Sequence, residues 1–234
     1  MKNIKRTLAF TLAEIVFVMG IIGVVATLTF TNARKDTDVV EKIAQLKKTD
    51  EILSTAFAQA VAENGNISNW GTNGTWPTRA QIWEVLAPYL KLKRDCGNST
   101  GCWKSGRIGF LPGINLENGE NIDGSNSSYK GILVNGASIS TYQPFGASAC
   151  DFAMLIDVNG KNKGTYRYGD DVFAFCVRRN GQVSAYGLYD ADDLRYCLSA
   201  TGLYCTSWVM KFGNQDYMKP CKNQLSWDDK HSCR

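Results

Sequence analysis

Hydrophobic positions along the chain fall into distinct patterns. From Ile15 to Ala33 no charged residue occurs, and Ile, Val and Phe dominate. A helix of that length spans about 28 Å, close to the roughly 30 Å hydrocarbon core of a bilayer. Beyond it, apolar residues thin out to Val39, Ile43, Leu46, Leu53, Phe57 and Ala60. That three-and-four spacing predicts an amphipathic helix. Asp50 interrupts the stripe, while Lys42, Lys47, Lys48, Glu51 and Glu63 take other positions. Asn64-Gly65 reads as the helix stop, glycine being the usual residue past a C-terminus. One helix from Phe10 to Asn64 is expected, apolar in its first half and amphipathic in its second.

A Gly/Asn/Trp-rich connection follows over 65–77. Thr78-Arg79-Ala80-Gln81 reads as a capping box that opens a second helix, and Pro88 closes or kinks it because proline has no N–H to donate. From about Arg107 strand signals dominate. Gly131 to Thr141 reads as a hairpin around a tight Asn135-Gly136 turn. Phe152–Val158, Val172–Val177 and Gln182–Tyr186 read as further strands, the last two joined through Arg179-Asn180-Gly181. The segment 190–234 has few periodic runs and reads as irregular. The expected fold class is α+β: a long N-terminal helix, membrane half plus amphipathic half, packed on an antiparallel β-meander with a disulfide-rich C-terminal segment.

All eight cysteines lie beyond the apolar run: Cys96, Cys102, Cys150, Cys176, Cys197, Cys205, Cys221 and Cys233. The chain has no C-x2-C pair, and His231 is its single histidine, so a structural zinc site is poorly supported. Disulfides in an oxidising compartment fit better. The spacing offers one local pair, Cys96 with Cys102, across a short Gly-containing loop. Lys2, Lys5 and Arg6 precede the apolar run and supply most of the formal charge of +4. The positive-inside rule then places the N-terminus in the cytoplasm and the cysteine-bearing domain opposite. What remains is near neutral without a basic block, so no nucleic-acid partner is indicated.

Glu14 is out of place at the start of an apolar helix. Its context, Lys5-Arg6-Thr7-Leu8-Ala9-Phe10-Thr11-Leu12-Ala13-Glu14, resembles the prepilin signature of type IV pilins, type II secretion pseudopilins and competence pilins. The resemblance covers about the first 35 residues. It implies a leader over 1–9, cleavage between Ala9 and Phe10 by a prepilin peptidase, and methylation of the new Phe10 amine. It further implies an assembly helix over 10–33, its amphipathic continuation over 34–64 and an extracytoplasmic domain over 65–234. Glu14 would neutralise the Phe10 amine of a neighbouring subunit and so set register. Implied partners are the peptidase, other pilin-like subunits, an inner-membrane assembly platform and the inner membrane itself. The implied place is a single-pass inner-membrane protein with a periplasmic domain, later a periplasmic or extracellular filament. Ala9 stands where the family usually has Gly, and Thr31 where many members have a helix-bending Pro. The rival for this region is a secretory signal peptide cut near Thr31-Asn32-Ala33, but the apolar run is too long for one.

Asp157, Asn159, Asp170 and Asp171 bracket the loop 159–171 and could supply oxygen ligands to Ca²⁺. The loop also loosely resembles calcium-binding loops of some pseudopilins. The same residues are ordinary turn chemistry. No catalytic set emerges, because a Ser or Cys nucleophile needs a base and His231 stands near the end of the chain; the chain is read as a non-enzyme. Trp70, Trp76, Trp103, Trp208 and Trp227 read either as ligand-binding aromatics or as satellite core under loops. The functional expectation is a pilin or pseudopilin subunit of a type II secretion or type IV pilus filament. The alternative is a single-pass anchored binding module, an adhesin or filament-tip minor subunit.

Overall fold

The computed structural model describes residues 12–112, 119–142, 150–187 and 191–233; for 12–14, 23–36 and 191 only the backbone is described. The chain divides into two compact units, Met1–Val40 and Glu41–Arg234.

Helix α1 runs over Leu12–Asn64. The expectation of a membrane-spanning half is corrected here: among the described residues, no helix is long and apolar enough to cross a membrane. Its described apolar side chains at the start run from Ile15 to Ile22. Such a stretch covers about 12 Å, less than half of a hydrocarbon core of about 30 Å. The single-pass inner-membrane placement loses its support with it.

Within the second unit, the part of α1 from Glu41 onward buries Ile43, Leu46, Leu53, Phe57 and Ala60, the three-and-four stripe. It ends at Asn64, where Gly65 takes a φ of 73°. Helix α2, Arg79–Leu86, opens on a reciprocal capping box between Thr78 and Gln81. Six strands follow: β1 Leu92–Gly97, β2 Lys130–Leu133, β3 Ser138–Tyr142, β4 Phe152–Asp157, β5 Val172–Val177 and β6 Val183–Ala185. They form one antiparallel sheet in sequence order. Strand β1 was not expected, since its Lys93, Arg94 and Asp95 are exposed on an edge and leave no apolar alternation to read.

Strands β4 and β5 are buried at every position, which requires cover on both faces. On one face Phe152 meets Phe57 of α1 edge-on, with ring centroids 6.0 Å apart. On the other, Ala153, Leu155, Val172 and Ala174 join a cluster with Trp103, Tyr142, Tyr168 and Leu203. The C-terminal segment adds to this second face and is more ordered than expected. It forms α3, Ala191–Ser199, and α4, Cys205–Phe212, with short 3-10 turns at Asp216–Met218 and Pro220–Gln224. Thr206 of α4 accepts a hydrogen bond from the backbone N–H of Ala174, 3.1 Å. Helical periodicity was hard to read here because two of the stripe positions are cysteines, Cys197 and Cys205, which pair with each other.

The cysteines form four disulfides: Cys96–Cys102, Cys150–Cys176, Cys197–Cys205 and Cys221–Cys233. Each joins sequence neighbours among the cysteines. The loop closed by Cys96–Cys102 is held by the Asp123 carboxylate, which accepts from the N–H groups of Gly101 (2.8 Å) and Trp103 (3.1 Å). The β2–β3 connection is Val134-Asn135-Gly136, with Leu133 N–H bonded to the Ala137 carbonyl. Gly136 takes the positive φ of 92°, the left-handed position of a hairpin loop one residue longer than a two-residue turn.

Candidate functional site

Two regions carry the sequence-predicted residues. Of the processing and assembly residues, Ala9 and Phe10 lie outside the described residues. Glu14 lies in the backbone of α1, and its side chain is outside them. The described side chains that follow are exposed. Ile15, Val16, Phe17, Val18, Met19, Ile21 and Ile22 all stand open, with Phe17 at 70% and Met19 at 68%. Consecutive helical positions point all round the axis, so this is an unbroken apolar surface rather than one stripe. A contiguous exposed patch of this kind marks an interaction surface.

The second region is the β4–β5 loop. Asp157 closes β4 and faces Val172, the first residue of β5, so the hairpin itself brings both ends of the loop together. The Val158 N–H bonds the Asp171 carbonyl at 3.0 Å. All four predicted residues converge. The Asn159 side-chain amide donates to Asp171 at 2.9 Å, and the Asn159 backbone N–H donates to Asp157 at 3.1 Å. Thr165 Oγ1 donates to both Asp170 and Asp171, and the Tyr166 N–H to Asp171 at 2.7 Å. Gly164 permits this closure: a Cβ there would overlap the Asp171 carboxylate and the Asn159 amide.

A residue from α1 completes the loop. Lys42 Nζ lies 2.7 Å from Asp170 Oδ1 and 2.9 Å from Asp171 Oδ1, with all three side chains buried. Burial works against its ammonium, yet the hydrogen bonds and charges of Asp170 and Asp171 outweigh burial and hold its pKa above the ordinary value. Lys42 reads in the sequence as one more polar position on an amphipathic helix. Only its place one residue before the buried Ile43 distinguishes it.

Among the described residues, no group of three or more His, Cys, Asp or Glu side chains is arranged to hold a metal ion. The donor set does not fit Ca²⁺. The ammonium of Lys42 takes the central cationic position, and the loop's own N–H and O–H groups saturate most of the carboxylate oxygens. Asp157 is the exception. Its side chain is fully buried, and its Oδ2 has no hydrogen-bond partner among the described residues. Burial first, then the neighbouring Asp171 charge, pushes its pKa up to about 8, against opposing N–H groups of Asn159 and Gly160 and the charge of Lys104.

The tryptophans separate cleanly. Trp70, Trp103, Trp208 and Trp227 are core, whereas Trp76 is 40% exposed. His231 stacks on Phe212 with ring centroids 4.1 Å apart and bonds the Trp227 carbonyl at 3.0 Å. No family model, curated protein or solved structure matches this chain.

Proposed function

We propose that the chain is a pilin-like structural subunit of a secretion or pilus filament, assembled through the N-terminal part of α1. The observation that carries this reading is the exposed apolar run from Ile15 to Ile22. Covering such side chains releases on the order of 1 kcal/mol each. Neighbouring copies of the same helix provide an all-round apolar partner. The order Ala9-Phe10 … Glu14 supplies a processing site and a register device at the head of that run. A prepilin peptidase frees the Phe10 amine, and Glu14 of an adjacent subunit pairs with it. Removing one partner of such a buried pair costs about 3–5 kcal/mol. The four disulfides suit an extracellular or periplasmic domain. Other pilin-like subunits and an assembly platform are the implied partners.

The test is the N-terminus of the mature chain, by intact mass and terminal sequencing, after co-expression with an active prepilin peptidase. A start at Phe10 supports the reading, and Glu14→Ala should then abolish entry into filaments without unfolding the domain. A chain that still starts at Met1 beside an active peptidase refutes it.

A further inference from the structure

The exposed Trp76 belongs to a groove built in the second unit alone. The Arg179 guanidinium stands over its indole, 5.6 Å from the ring centroid. Arg179 is held there by Asp151, whose two oxygens accept from its Nε at 2.9 Å and its backbone N–H at 3.1 Å. Asp151 sits between two depressions. One, of about 100 Å³, is lined by Trp76, Pro77, Ile82, Tyr142 and Phe152 together with the polar Thr78, Arg79 and Asp151. The other, of about 560 Å³, is lined among the described residues by polar ones, including Asn66, Arg178, Asn180, Gln182 and Ser184. An aromatic platform therefore continues into a shallow bed of amides, a hydroxyl and charged groups.

The bed is preorganised. The β5–β6 turn is closed by Arg178 N–H to the Gln182 carbonyl (2.9 Å) and Gly181 N–H to the Arg178 carbonyl (2.8 Å). The turn is also tied to the segment after α1 by the Ile67 N–H on the Arg179 carbonyl, 2.9 Å. Gly181 has a φ of 80°, and a Cβ there would stand 2.7 Å from Val61 of α1, so the turn is seated directly on the helix. A rigid site loses little on ordering when a ligand binds.

Its charges select the ligand. Arg179 is neutralised by Asp151, whereas the exposed Arg178 guanidinium makes no hydrogen bond or ion pair among the described residues. Arg178, with Arg79 at the indole end, beside hydroxyl-reading amides and an indole fits a pyranose chain that also carries a carboxylate. The sugar's C–H face covers the indole, its hydroxyls meet Asn66, Asn180, Gln182 and Ser184, and its carboxylate takes the guanidinium fork of Arg178. We infer that this groove binds an acidic oligosaccharide, of the uronic or sialic type, independently of filament assembly.

The test is isothermal titration of the full-length, disulfide-intact protein with tetragalacturonate and with sialyllactose, beside neutral maltotetraose. At least one acidic sugar should bind, at least tenfold more tightly than the neutral one, and weaken as salt screens the pair. Trp76→Ala and Arg178→Gln should each cost about tenfold, which is about 1.4 kcal/mol. Both side chains are exposed, so melting temperatures should stay put; Asn180→Ala serves as a third probe if either variant unfolds. Lack of binding by both acidic sugars at millimolar concentration overturns the inference. So does equal binding of the neutral sugar, or binding that survives both substitutions. Loss of N-terminal processing would leave this result untouched, so the two readings fail separately.

Discussion

Asp157→Asn isolates the one buried carboxyl at the β4–β5 loop with an oxygen, Oδ2, that has no hydrogen-bond partner among the described residues. The folded protein holds a proton on Asp157 up to about pH 8, whereas the ordinary value for the side chain is 3.8. Between those values the folded state binds more protons than the unfolded state. Stability therefore falls as pH rises, is fully present below about pH 4 and is lost through pH 8. Each unit of pH is worth about 1.4 kcal/mol. The whole window is worth roughly 6 kcal/mol, and the interval from pH 5 to pH 8 roughly 4 kcal/mol. Asn reproduces the shape of the protonated acid without the titration. Asp50 and Glu120, which burial also raises, titrate in both proteins and cancel in the difference. The raised pKa of Lys42 acts only above its ordinary value of 10.5, outside the window. Urea unfolding of the oxidised proteins at pH 5, 6, 7 and 8 measures this directly. Wild type should lose several kcal/mol more than Asp157→Asn over the series. Parallel stability curves would refute the argument and mean that Asp157 is ionised, with a partner for its Oδ2.

Lys42→Met should destabilise the domain by about 3–5 kcal/mol, since Asp170 and Asp171 stay buried without their cation. Adding Asp170→Asn should recover part of that loss in the same unfolding assay. Millimolar calcium should leave the wild-type melting temperature within about 2 °C of its value in chelator, because mM-range binding would otherwise raise it by mass action. Replacing both Cys150 and Cys176 by Ala opens a loop with a sequence separation of 26. It should cost about 3.5 kcal/mol by chain entropy, read as a fall in the unfolding free energy extrapolated to water, with a steeper urea slope as the freed unfolded chain expands.

Local chemistry was legible wherever a short motif decides the backbone. Thr78 and Gln81 lie close enough in sequence to satisfy each other's N–H groups, so the start of α2 was readable. The β4 and β5 runs were readable because Phe152 to Ile156 and Val172 to Val177 are uninterrupted apolar runs rich in aromatic and β-branched residues. Strand β1 was not, because its pairing partner supplies the order: Leu92 packs opposite Leu133, and the charges between its ends face outward. Helices α3 and α4 were hidden for a related reason. Their buried face includes Thr206 and Ser207, whose hydroxyls are satisfied by the Leu203 and Tyr204 carbonyls one turn back, so the apolar stripe is broken in sequence but not in packing.

The buried charges mark where a sequence reading has least to hold. Lys42 and Lys130 look like solvated positions, yet both are buried. Lys42 meets carboxylates far along the chain, at Asp170 and Asp171. Lys130 instead drives its ammonium into three carbonyls, those of Ile122 (2.9 Å), Asp123 (3.0 Å) and Ser125 (2.9 Å), and burial lowers its pKa. In both places a lysine fills a polar cavity in a loop that would otherwise strand unpaired oxygens, the arrangement that makes a buried charge tolerable. The β4–β5 loop could be read as a cation site because its oxygens do converge, and the cation they converge on belongs to the chain. Asp157 remains the oxygen that Lys42 does not reach, so its proton does the neutralising. Lys42 therefore binds α1 to the loop by charge, while burial beside Asp171 makes ionised Asp157 costly in the same loop.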